Sequence, residues 1–145
     1  MDSRTIAQFD SAGILWTKTP ISTLAEAKDI PIGIIKGHAA IPVLEQLGFS
    51  KLDEGASNSD MIMNKLLNKR FDTIVDAKVV YLYTWKKMGQ KTQDLQEGPM
   101  IGEQSHIYVA GDLSFPDDIA KSISDAIDKM KKSGKLQEIL DKWTK

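Results

Sequence analysis

Three residues offer chemistry at suggestive places: His38, His106 and Asp76. His38 follows Gly37 at the end of the run Ile32-Gly33-Ile34-Ile35-Lys36, and Asp76 closes the run Thr73-Ile74-Val75. An apolar run that stops at a glycine or an acid before a helical pattern reads as a buried parallel strand handing over to a helix. Both residues then fall at carboxyl ends of strands, where ligands sit in open α/β sheets. A carboxylate there can hold a cation. The first amides of a helix lack intrahelical partners and carry the positive end of its dipole, so they can hold an anion. Ala39 and Ala40 are small and leave room for approach. Together the groups suit a zwitterion. Plainer readings stand beside this one: Asp76 as the N-cap of the following helix, Gly37 to Pro42 as an ordinary strand–helix turn, and Trp16 as core rather than a wall on which a ligand stacks.

Other chemistries find less support. The two histidines lack the H-E-x-x-H spacing of a zinc helix, and no metal or cofactor is expected. The chain has no P-loop, no G-x-G-x-x-G and no G-x-S-x-G. It contains no cysteine, which excludes disulfides and thiolate catalysis. A small α/β enzyme using His38 and Asp76 remains an alternative, but the expectation is a binding protein and not an enzyme.

The elements that must position these residues follow from pattern. Ile14-Leu15-Trp16-Thr17 reads as a strand ended by Thr19-Pro20. Thr23-Leu24-Ala25-Glu26 has capping-box spacing. The strand ending at Lys36 turns at Gly37, and a helix with Pro42 in its first turn runs to Gly48. Phe49 to Glu54 is expected as a strand. The cluster Ser57-Asn58-Ser59-Asp60 starts a helix whose Ile62, Met63, Leu66 and Leu67 share one face. Thr73 to Val75 is a β-branched strand, and a helix follows from Ala77 to Met88. Residues 89–104 are polar, with at most a short strand near Asp94 to Gln96. His106 to Ala110 is the last strand. Ile119, Ile123, Ala126, Ile127 and Met130 form one helical stripe, and Leu136, Ile139, Leu140 and Trp143 another. Residues 1–12 show no clear period and read as an arm. The fold class is α/β: a doubly wound, mostly parallel five-stranded sheet with one or two antiparallel strands, plus two C-terminal helices.

Composition bounds the class. The chain has 145 residues, 41% hydrophobic and 27% charged, with a net charge of −1. That describes one globular chain with no global field for nucleic acid or an anionic membrane. No apolar stretch is long enough to span a bilayer. Met1-Asp2-Ser3-Arg4 has no apolar signal core behind it. The expectation is that the chain is not exported, or lacks its true N-terminus.

The series Leu24-Ala25-Glu26-Ala27-Lys28, Ile32-Gly33-Ile34-Ile35-Lys36-Gly37 and Asn68-Lys69-Arg70-Phe71-Asp72-Thr73-Ile74-Val75-Asp76 resembles the second lobe of bacterial periplasmic solute-binding proteins of ABC importers. The polar amino-acid family is the most similar kind. The tail, from Phe115-Pro116-Asp117-Asp118 to Leu140-Asp141-Lys142-Trp143, is similar to that family's C-terminal helices. The resemblance implies an arm over 1–12, a solute-binding lobe over 13–112, and helices over 113–145 that would pack on a first lobe. It implies a small polar solute such as an amino acid; the residues expected to hold it, from their types and positions, are His38, Ala39, Ala40, Asp76 and Trp16. A permease partner and a periplasmic or extracellular location follow from it. A sensor or regulatory module of the same fold is the alternative. This chain departs from the family at two places. His38 stands where Ser or Thr is usual after the glycine, and Asp76 lies one residue before the usual acid, at whose place stands Ala77. The apolar stripes of the terminal helices lead to the expectation of a homodimer through residues 115–143, with no first lobe in this chain to cover them.

Overall fold

A computed structural model describes the backbone of residues 3–11, 13–16, 20–102 and 105–145, and the side chains of residues 20–102 and 108–145. In chain order the strands are β1 (Ser3–Ser11), β2 (Gly13–Trp16), β3 (Ile32–Ile35), β4 (Leu52–Ala56), β5 (Thr73–Asp76), β6 (Gln96–Glu97) and β7 (Ser105–Asp112). The helices are α1 (Leu24–Ala27), α2 (Ile41–Gln46), α3 (Ser59–Leu67), α4 (Lys78–Lys87), α5 (Asp117–Lys132) and α6 (Lys135–Thr144). The chain divides into two compact units, residues 12–104 and residues 1–11 with 105–145. No helix among the described residues is long and apolar enough to cross a membrane.

The first unit is built on a five-stranded sheet of order β4-β3-β5-β2-β6. β3 runs parallel to both β4 and β5, while β2 runs antiparallel to β5 and β6. Strand side chains alternate between faces, and here each face has its own core. Ile32, Ile34 and Val75 point to one face with Ala27, Leu44 and Phe49. Ile74 points to the other with Ile62, Met63, Leu66, Phe71, Tyr81 and Trp85. Burial on both faces is why β3 and β5 read as unbroken apolar runs. Gly33 serves this packing: a Cβ there would run into the Phe71 ring. The central strand also carries a buried hydroxyl, and Thr73 Oγ1 donates to the Pro31 carbonyl at 2.8 Å.

Local signals set the element ends. Thr23 and Glu26 close a reciprocal capping box on α1. Asn58 accepts the Met61 amide at 2.9 Å and starts α3. Beyond α2, the Gly48 N–H donates to the Glu45 carbonyl and the Phe49 N–H to the Leu44 carbonyl, with Gly48 at φ 86°. This is a Schellman motif, whose apolar residue after the glycine packs back on the helix. Phe49 is therefore the hydrophobic closure of α2 and not the start of a strand, and β4 begins at Leu52 rather than Phe49.

The second unit pairs β1 with β7 as a two-stranded antiparallel ribbon, from Ser3 opposite Asp112 to Ser11 opposite Ser105, with one irregularity between Thr5 and Ala7. Residues 3–11 are thus a strand and not an arm. The strand expected at His106 to Ala110 belongs to this ribbon, and the fifth strand of the larger sheet is Gln96–Glu97. α5 lies against β1 and α6. Acids Asp117 and Asp118 occupy the first turn of α5 and Lys129, Lys131 and Lys132 its last, each suited to the helix dipole. Gly134, at φ 75°, makes the turn between the two helices.

Candidate functional site

β3 and β5 run side by side and parallel, so their carboxyl ends lie at one edge of the sheet. The turn after β3 delivers His38 and the end of β5 delivers Asp76. Gly37 adopts φ 74° with nothing within 4 Å of where a Cβ would stand, so it is a glycine for its backbone alone. The two side chains meet: His38 Nε2 lies 3.9 Å from Asp76 Oδ1.

Asp76 is 7% exposed. Its Oδ1 accepts the N–H of Ala77 at 2.7 Å. Its Oδ2 is buried and has no hydrogen-bond partner. Burial is the main influence on the carboxyl and holds its pKa above the usual carboxylate value, against the opposing pull of the Ala77 amide and of His38. Buried polar groups are nearly always paired, because an unpaired one costs about 1–3 kcal/mol. At Asp76 Oδ2 no partner among the described residues offsets that cost.

The plainer reading of Asp76 does not match the geometry. The N-cap of α4 is Ala77, which makes no side-chain capping bond. Asp76 therefore stands one residue outside the cap, and its bond to the adjacent Ala77 amide is not the N2 or N3 bond of a capping side chain. Tyr81, one turn into α4, is 1% exposed. Burial first, then Glu97 and Asp76, push its hydroxyl far above the ordinary tyrosine range, so the ring stays neutral beside the carboxylate.

The other expected site residues are placed differently. Ala40 is the N-cap of α2. Its N–H donates to His38 Nδ1 at 3.1 Å, and the Ile41 N–H donates to the His38 carbonyl at 3.0 Å. Two amides expected to face a ligand are thus engaged within the turn, and Ala40 packs against the core. Ala39 is exposed. Trp16 pairs with Thr73, while Gly13 is the residue opposite Asp76. An antiparallel register runs the two strands in opposite senses, so Trp16 sits three residues, roughly 10 Å, down the strand from the Asp76 edge; its side chain lies outside the described residues. The same holds for the side chain of His106, whose backbone pairs with Asp10 in the ribbon. Among the described residues no group of three His, Asp or Glu is placed to hold a metal ion.

No protein-family model matches the chain. No curated protein matches it either. Solved structures do. An amino acid ABC transporter substrate-binding protein from Streptococcus pneumoniae, bound to L-arginine, is similar with a TM-score of 0.69 at 18% identity, over 93% of this chain and 57% of that one. The GluR0 ligand-binding core from Nostoc punctiforme, in complex with L-glutamate, gives 0.66 at 19% identity, over 96% and 62%. A histidine kinase sensor domain with similarity to periplasmic binding proteins gives 0.62 at 14% identity, over 92% and 58%. This chain is matched along nearly all of its length and spans less than two thirds of theirs. Its α/β fold is similar to that of periplasmic binding proteins.

Proposed function

We propose that this chain is the solute-binding lobe of an importer-type extracellular or periplasmic binding protein, corresponding to the second lobe and the terminal helices of the longer proteins it resembles. Its solute is an amino acid or a similar small polar molecule with a cationic nitrogen. The single observation that carries this reading is Asp76: a buried carboxylate with one oxygen unpaired, at the strand edge where such folds take ligands. L-arginine and L-glutamate, bound in two of the neighbouring structures, both carry an ammonium group and support the class without choosing its member. The neighbours are binding and sensor proteins, which favours binding over catalysis. Membrane permease subunits are the partner this reading implies.

A sensor module is the second reading, and the histidine kinase sensor domain is the observation that favours it. It shares the site and differs in what the protein reports to. The proposal extends to assembly: a homodimer through α5 and α6, supported by Ile119, Ile139 and Trp143, which are 47%, 39% and 52% exposed.

The test is a ligand screen by NMR on the full chain, with amino acids and small amines. Binding that shifts the amides around Gly37 and Ala77, and that Asp76→Asn weakens by tenfold or more, supports the reading. Turnover of a bound compound would favour the enzyme alternative. Binding indifferent to Asp76→Asn would place the site elsewhere.

A further inference from the structure

A strand at the edge of a sheet presents unpaired N–H and C=O groups, and folded proteins blunt such edges with shortness, bulges or charged residues. Three of the four edges formed by the described strands are blunted. β6 has two residues. β4 carries an extra residue against β3, between Asp53 and Ala56. Its Gly55 N–H is taken by its own Asp53 Oδ1 at 2.9 Å, an oxygen that also accepts from Lys65 Nζ at 2.6 Å. β1 carries an extra residue between Thr5 and Ala7, and it holds Arg4 and Asp10. β7 has none of these devices. It is eight residues long, Ser105–Asp112, runs along β1 without skipping a residue of its own, and holds no Pro, Lys, Arg or acid before Asp112. Among the described strands it pairs with β1 alone. Tyr108 and Val109 alternate between the faces of the strand, and both are open, at 50% and 36% exposure.

We propose that the outer edge of β7 is an interaction surface for a second copy of the chain: β7 adds antiparallel to β7 of the second copy, and the two ribbons become one four-stranded sheet. The inference rests on the homodimer reading above and names a strand contact within it. α5 lies against β1, so the edge and the terminal helices belong to one unit. A two-fold axis normal to the sheet keeps each face on its own side, so residues of like parity stand opposite one another. The register centred on Val109 sets Val109 opposite Val109, Tyr108 opposite Ala110, and His106 opposite Asp112 at both ends. Apolar residues then face apolar ones, and the one carboxylate of the strand faces an imidazole rather than a like charge. Pairs of the first kind stabilise a sheet, and like charges directly opposite destabilise it. A ribbon of two strands is marginal by itself, and further strands relieve that.

The chain has no cysteine, so one introduced thiol reports one position. The experiment has two arms on the full chain. The first is light scattering over a concentration series for the wild type, Val109→Lys and Val109→Thr. The second is intermolecular disulfide formation by Val109→Cys and by Leu113→Cys under oxidised glutathione. In the proposed register residue 109 stands opposite itself, with Cβ atoms about 5 Å apart, whereas residue 113 stands opposite residue 105. Leu113 is 65% exposed, so access does not limit the control. The expected result is a dimer for the wild type and for Val109→Thr. Val109→Lys sets two ammonium groups against each other and is expected to raise the dimer dissociation constant about tenfold or more, with an unchanged far-UV spectrum. Val109→Cys is expected to cross-link faster than Leu113→Cys. A dimer whose affinity Val109→Lys leaves unchanged, or Val109→Cys that cross-links no faster than Leu113→Cys, overturns the strand contact and keeps the homodimer reading. A wild type that stays monomeric overturns both. If Val109→Lys fails to fold, the comparison of the two cysteine variants decides.

Discussion

Residues 12–104 and the terminal helices both carry apolar faces, but they bury them to different degrees. Apart from Ile127, every buried apolar residue among the described side chains lies in residues 12–104. There, β3 and β5 are covered on both faces and Ile32, Ile34, Leu44 and Ile62 have no exposure. In α5 and α6 the stripe is at least as regular, yet Ile119, Ile139 and Trp143 stay open while Ile127 alone is buried. Periodicity tells which face of a helix is apolar; it does not tell whether anything covers that face. The first unit has a two-faced core, whereas among the described side chains of the second only Ile127 is a buried apolar residue.

Substitutions break this contrast in order of size. Ile34→Ala removes a fully buried side chain from β3 and is expected to cost about 2–5 kcal/mol, read by urea unfolding. Ile139→Ala, at 39% exposure, is expected to stay within about 0.5 kcal/mol when measured under conditions where the chain is monomeric. Equal losses at the two positions would end the contrast.

A smaller effect is expected at Gly33. Gly33→Ala places a methyl in the Phe71 ring, and overpacking of this kind costs about 1–3 kcal/mol. An unchanged urea midpoint would mean that the ring yields freely and that this face of the sheet is looser than its burial indicates.

On the other unit the expected change is in assembly. Light scattering is expected to return the molar mass of a dimer at tens of micromolar, and Ile139→Asp to shift it toward monomer. A monodisperse monomer in the wild type would contradict the dimer.

The smallest expected change has an unusual sign. Asp76 has a raised folded-state pKa, caused by burial. Such a group favours the fold most when protonated: its contribution is complete below the unfolded value near 3.8 and is lost as pH rises through the folded value. At pH 7 the wild type therefore bears the cost of the buried charge. Asp76→Asn is expected to melt higher than the wild type at pH 7, with the advantage shrinking as pH falls toward 4. A variant that melts lower at pH 7 would mean the carboxylate is better solvated than its burial indicates.

Much of this was readable from residue types, and the failures have physical causes. The strand ends at Gly37 and Asp76, the capping box at Thr23 and the Asn58 cap are local signals, and they stand where expected. β1 and β7 hold each other across nearly a hundred residues of chain, so no local pattern announces the pair. Phe49 was ambiguous because a Schellman closure and a strand both call for an apolar residue after glycine. Trp16 drew attention by type, but only the register with β5 reveals that Gly13, not Trp16, stands at the Asp76 edge. The bond from the Ala40 amide to the His38 ring, which closes one expected anion site, is a side-chain choice that spacing cannot express.

The central claim is that the bare oxygen of Asp76 receives a cationic group of the solute. The most direct measurement follows the 13Cγ resonance of Asp76 in the full chain at pH 7 while ethylamine or L-alanine is added, with potassium acetate as control. The account predicts a saturable shift of that resonance with the amine and the amino acid, and none with acetate. A 13Cγ signal that stays in place while other residues report binding would contradict it, since the solute would then be held without the Asp76 carboxylate.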